Sequence, residues 1–142
     1  MIIDENIKSV LRLKSIIMKK IEFDRNDNFI DSEKLLFKVG YNIKHLEENI
    51  NNYEISLRAL IESSEKETFR LFIELVGCFS FNSENLQMKN KEILIQKNTL
   101  AILFPYLRSQ VTLITSQPGM EPIIIPPINI NSLIEQDKNE LM

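Results

Sequence analysis

The chain has 142 residues, 44% of them apolar and 26% charged, which suits a single ordered domain over 1–142 and excludes a disordered chain. Its 17 basic and 20 acidic residues leave a net charge of −3, without the basic excess of a dedicated nucleic-acid binder. One cysteine, Cys78, and one histidine, His45, allow no intramolecular disulfide and no histidine-rich metal site. Gly40, Gly77 and Gly119 form no phosphate-binding glycine motif, so no cofactor or metal is expected.

The first residues carry neither a basic flank nor a long apolar run, so they do not read as a secretory signal. No apolar stretch approaches the roughly 18 residues of a membrane span. A cytoplasmic location without membrane insertion is expected.

From Leu11 to Phe81 the apolar residues recur with period two, the signature of strands half-buried in an antiparallel sheet. The first run places Leu11, Leu13, Ile17, Ile21 and Phe23 on one face, with Arg12, Lys14, Lys20 and Glu22 opposite. Ile16 and Met18 interrupt that polar face. A polar link from Asp24 to Lys34 follows, carrying Phe29 and Ile30, and it is long enough to cross the sheet. Leu35, Phe37, Val39, Tyr41 and Ile43 form the second run, and Tyr53, Ile55, Leu57, Ala59 and Ile61 the third. The fourth is Phe69, Leu71, Ile73, Leu75, Phe79 and Phe81. Asn49-Ile50-Asn51-Asn52 and Ser63-Ser64-Glu65-Lys66 are the hairpin connections, because asparagine tolerates positive φ and the second link is polar.

Glu84 to Lys97 mixes charged and apolar residues and predicts irregular structure or a short helix. A long helix is expected over 98–117, capped by Asn98 or Thr99 and stopped by Pro118-Gly119. Pro105 must either open this helix at its first turn or kink it. One stripe holds Leu100, Leu103, Leu107, Val111 and Ile114; a second holds Ile102, Tyr106 and Leu113. A helix lying on one sheet needs one stripe, so the second predicts oligomerisation through the helix. Prolines force 122–130 into an extended path, and a short helix is expected over 131–137.

Leu103-Phe104-Pro105-Tyr106-Leu107-Arg108, followed by Pro122 and by Pro127-Ile128-Asn129, resembles the SecB family of bacterial protein-export chaperones. Gly77-Cys78-Phe79 at the end of the fourth strand is similar to the same family's glycine–apolar–phenylalanine ending. The resemblance implies an α+β fold: a four-stranded antiparallel sheet with a long crossover between strands one and two, packed by one long helix and a short C-terminal helix. It implies a homotetrameric dimer of dimers, with an interface including Ile16, Met18, Leu103, Tyr106, Leu107, Val111 and Ile114. It implies no enzymatic activity. The function implied is that of an ATP-independent holdase, which binds unfolded precursors and passes them to the SecA motor of the Sec pathway.

Carried onto this chain, the client-polypeptide groove takes Phe29, Ile30, Phe79, Ile130, Leu133 and Ile134. Ile130 stands where the family has an aromatic residue. The SecA-docking face takes Asp24 and Glu74, while Lys20 reverses the sign of a family acidic position. The alternative within the same family is a chaperone dedicated to one client, such as the antitoxin of a toxin–antitoxin system. An enzyme fits poorly: Cys78 reads as a small buried hydrophobe on a strand, and His45 as a solvated residue at a strand end.

Overall fold

The computed structural model describes residues 11–46, 51–65, 67–81 and 88–134, with side chains for all of these but 88–92 and 94. Four strands, β1 (Leu11–Arg25), β2 (Leu35–His45), β3 (Asn52–Ser63) and β4 (Phe69–Phe81), precede one long helix, α1 (Met88–Thr115). A short helical segment, α2, occupies 130–134. The sheet is antiparallel in the order β1-β4-β3-β2, so the connection 26–34 carries the chain from one edge strand to the other.

Alternation in β3 and β4 survives intact, while in the edge strand β2 Tyr41 is buried and Phe37 and Ile43 stay exposed. Ile55, Leu57, Ala59 and Ile61 are buried beside Phe69, Leu71, Ile73, Leu75, Phe79 and Phe81, on the face that α1 covers. In β1 the expected phase fails in the middle. Pairing with β4 slips between Leu13 and Ser15 and again between Met18 and Lys20. Each bulge adds one residue and moves the following side chains to the other face. Ile16 and Met18 therefore oppose Gly77 and Leu75 and pack against the core, whereas Ile17 turns outward at 56% exposure. The second slip restores the phase, and Phe23 rejoins the core.

The helix starts ten residues earlier than its predicted cap, at Met88 rather than Asn98. Thr99 lies inside it, fully buried, because its hydroxyl donates to the Ile95 carbonyl one turn back and leaves no unmet polar group. Pro105 also lies inside the helix. Pro105 and Ala101 are both exposed, so the carbonyl that loses its amide donor is on the solvent side.

Beyond Thr115 the chain turns back. Gln117 to Met120 closes a turn with Pro118 and Gly119 at its centre, and the Gly119 φ of 75° is one that a side chain would resist. The carbonyl of Gly119 accepts a hydrogen bond from Arg25 at 2.8 Å, which ties this turn to the end of β1. The returning strand of chain is held along α1 by three side chains. Arg108 donates to the Ile125 carbonyl, Thr112 to the Ile123 carbonyl, and the buried Thr115 hydroxyl accepts from the Ile123 amide, each at 2.8 Å. Asn129 then caps α2, its side-chain oxygen accepting from the amides of Asn131 and Ser132. Of the helix predicted over 131–137, residues 135–137 lie outside the described residues.

Candidate functional site

The residues singled out from the sequence fall on the crossover, on α2, along α1 and on the two faces of the sheet. In the crossover, Phe29 is buried at 8% exposure. Its ring lies 5.0 Å from Phe69, which in turn meets Phe23 edge-on at 5.6 Å, and the Arg25 guanidinium sits 5.2 Å over it. The loop closes over that ring because Glu33 takes the hydroxyl of buried Thr68 with one oxygen and the amide of Ile30 with the other. Ile30 is left outside at 59% exposure.

Phe79, expected in the same groove, does not approach Phe29. Phe79 is fully buried in the core. It stands ten residues along β4 from Phe69, roughly 33 Å at the rise of a strand. Leu133 is buried, and Ile130 and Ile134 are half-buried against the core. Of the six residues, Ile30 alone is exposed, because the sheet and α2 use the rest to close the subunit.

On α1 the two stripes divide as a sheet-packed helix requires. Leu103, Leu107 and Val111 are wholly buried against their own sheet, so a second copy would find nothing of them to cover. Tyr106 and Leu113 are exposed at 49% and 63%, Ile102 and Ile114 are half-buried, and Ile124 of the returning segment is exposed at 77%. Pro105, Leu113 and Ile124 border a groove of about 530 Å³ between α1 and that segment.

On the outer face of the sheet, Glu74 is not a free acid. It accepts a hydrogen bond from Ser56 and lies 3.9 Å from Arg58, with its side chain only 16% exposed. The Arg58 guanidinium lies beside Gly40, where a Cβ would stand 3.3 Å from it, and donates to Asn42. Glu22 bridges Lys20 and Arg70 at 2.8 Å each, and these hydrogen bonds, Lys20 first, hold its carboxyl below the usual carboxylate range. Asp24 is exposed opposite Arg70. Cys78 also turns to this face, half-buried between Ser15 and Glu54, instead of joining the core beside Phe79. His45 ends β2 with its ring stacked on Tyr53 at 4.8 Å.

Phe72, Leu60 and Leu36 on the same outer face were not anticipated. Their signal was present as apolar residues at polar positions of otherwise alternating strands.

The family described as preprotein translocase subunit SecB matches residues 5–141. An uncharacterized protein of Methanocaldococcus jannaschii is 29% identical over 94% of this chain and 90% of its own length. The protein-export protein SecB of Rickettsia akari is 31% identical over 70% of this chain, which spans 64% of that relative. Among solved structures, a Mycobacterium tuberculosis SecB-like chaperone in complex with a ChAD peptide from the HigA1 antitoxin superimposes with a TM-score of 0.67. It is 10% identical, over 84% of this chain and 88% of that one, and so shares the fold.

Proposed function

Because the chain belongs to the SecB family, a family of chaperones rather than enzymes, we propose that it is an ATP-independent holdase. On this reading it binds unfolded polypeptides and keeps secretory precursors competent for the Sec pathway. The observation that carries the reading is large apolar side chains left open on two separate elements away from α1: Ile30 on the crossover and Phe37 on β2. A holdase for unrelated clients needs open apolar surface rather than a cavity shaped for one side chain. Weak contacts at several such places sum through effective concentration when one long client spans them.

The outer stripe of α1 supports assembly of copies into a dimer of dimers, which multiplies the sites one client can reach. The cytoplasm is the proposed location; no described helix is long and apolar enough to cross a membrane.

Dedication to one client, such as an antitoxin, is the second reading. The outer face of the sheet favours it, since Glu74 and Glu22 are spent on internal pairs and, of the two expected docking acids, only Asp24 is left exposed to a basic SecA segment.

The test is dilution of denatured precursor proteins into buffer with stoichiometric chain and no nucleotide. Suppressed aggregation, with no binding of the same clients once folded, supports the general holdase. Failure on several unrelated clients removes it, and protection of a single antitoxin then establishes the dedicated form.

A further inference from the structure

We propose that the crossover 26–34 is a latched flap: Glu33 and Thr68 hold the Phe29 ring inside the subunit, and unlatching turns it out as client-binding surface. The inference deepens the holdase reading, and rests on it, by naming what controls the apolar surface a client meets.

The crossover is polar apart from two neighbours. Between Asp24 and Lys34 the large apolar side chains are Phe29 and Ile30, set among Asp24, Asp27, Asp31 and Glu33. Of the two, Ile30 is 59% exposed and Phe29 only 8%. Asp27, Asn28, Asp31 and Ser32 are exposed as well, so the loop has little besides Phe29 to bury.

Its two ends are fixed through the backbone. The Asn26 amide donates to the Thr68 carbonyl at 2.8 Å, and the Lys34 carbonyl accepts from the Ser64 amide at 3.1 Å. Between these anchors, the Phe29 amide donates to the Asn26 carbonyl and the Glu33 amide to the Ile30 carbonyl, both within the loop. Two contacts join its middle to the sheet: the Phe29 ring on Phe69 at 5.0 Å, and the Glu33 carboxylate, which accepts from the Thr68 hydroxyl at 2.7 Å. The second oxygen of Glu33 takes the Ile30 amide at 3.3 Å, so one carboxylate both docks the loop and orients the segment bearing Phe29. The Arg25 guanidinium over the ring is anchored outside the loop, on the Gly119 carbonyl.

A charge-assisted hydrogen bond of this kind favours the closed form by roughly ten- to hundredfold. That is enough to stow an aromatic ring in the free chain, where exposed apolar surface invites self-association. It is also small enough for a client to reverse. Opening sets Phe29 beside Ile30 and uncovers Phe69 behind it, and the affinity seen by a client is reduced by the fraction of chains that are open.

The test uses the full chain with Thr68→Val, which removes the hydroxyl but keeps the branched shape, and Glu33→Gln, which keeps a neutral hydrogen bond in the same place. Amide exchange read by mass spectrometry is expected to quicken about tenfold over 26–34 in Thr68→Val, with β3 and β4 protected as in the parent. Glu33→Gln should fall between the two. The probe is a fluorescein-labelled polypeptide kept unfolded by reduction and carboxymethylation. Its affinity is expected to rise about tenfold for Thr68→Val and less for Glu33→Gln. Faster exchange with unchanged or weaker affinity makes the loop a structural closure alone and overturns the proposal, as does unchanged exchange. Failure of the parent and both variants alike to bind the probe removes the holdase reading, and this control with it.

Discussion

Gly77 of β4 and Leu103 of α1 approach so closely that a methyl group on residue 77 would stand 2.8 Å from Leu103 Cδ2. The Phe79 ring would be equally near, at 2.8 Å. The missing side chain is what lets the helix settle onto the sheet here, with Leu103 filling the space.

Gly77→Ala is therefore expected to destabilise the fold by about 1–3 kcal/mol through overpacking. Leu103→Ala alone leaves a cavity and costs about 2–5 kcal/mol. The double variant should cost less than the sum, because the added methyl enters the space that leucine vacates. Denaturant midpoints of the four proteins measure the coupling; strict additivity would show that the two residues do not constrain each other.

Burial separates the structural from the binding roles among the expected groove residues. Phe79→Ala should lower stability by about 3–5 kcal/mol. Ile30→Ser should change stability by no more than about 0.5 kcal/mol yet weaken binding of an unfolded polypeptide several-fold. Thermal melts paired with client titrations check both, and unchanged client affinity in Ile30→Ser would remove the crossover from the binding surface.

The same division applies along α1. Leu107→Ala is expected to cost about 2–5 kcal/mol of folding stability. Tyr106→Glu with Leu113→Glu should leave the subunit folded and reduce the mass of the assembly, read by light scattering after gel filtration. An unaltered mass would place the contact between copies elsewhere.

Glu22 carries a pH dependence of definite sign. Its carboxyl is held below the ordinary value of 4.5 by Lys20 and then Arg70. A lowered folded-state pKa means that its stabilisation is present above 4.5 and is lost as the pH falls through the folded value. The melting temperature of Glu22→Gln should thus lie below that of the parent chain at neutral pH. The gap should close as acid protonates Glu22, and because the group is exposed it should be small and shrink with salt.

Much of this protein is written in local patterns. Alternation alone determined the inward residues of β3 and β4, because side chains of a strand must point to opposite faces in turn. The apolar stripes of α1 and the Pro118-Gly119 stop were equally legible, as was Asn129 before α2. Tertiary structure decided what local patterns cannot encode. The bulges of β1 depend on a partner strand three elements later in the chain, so Ile16, Ile17 and Met18 read in the wrong phase. The length of α1 depends on burial of Thr99 and on Gln96 reaching the Tyr41 hydroxyl of β2, neither visible as a helix signal. Whether a given Phe or Leu closes the core or meets a partner was settled by the sheet beneath it: Phe79, Leu103 and Leu107 are consumed there, while Ile30, Tyr106 and Leu113 are not. Hydropathy is a property of the residue, but exposure is a property of everything packed around it.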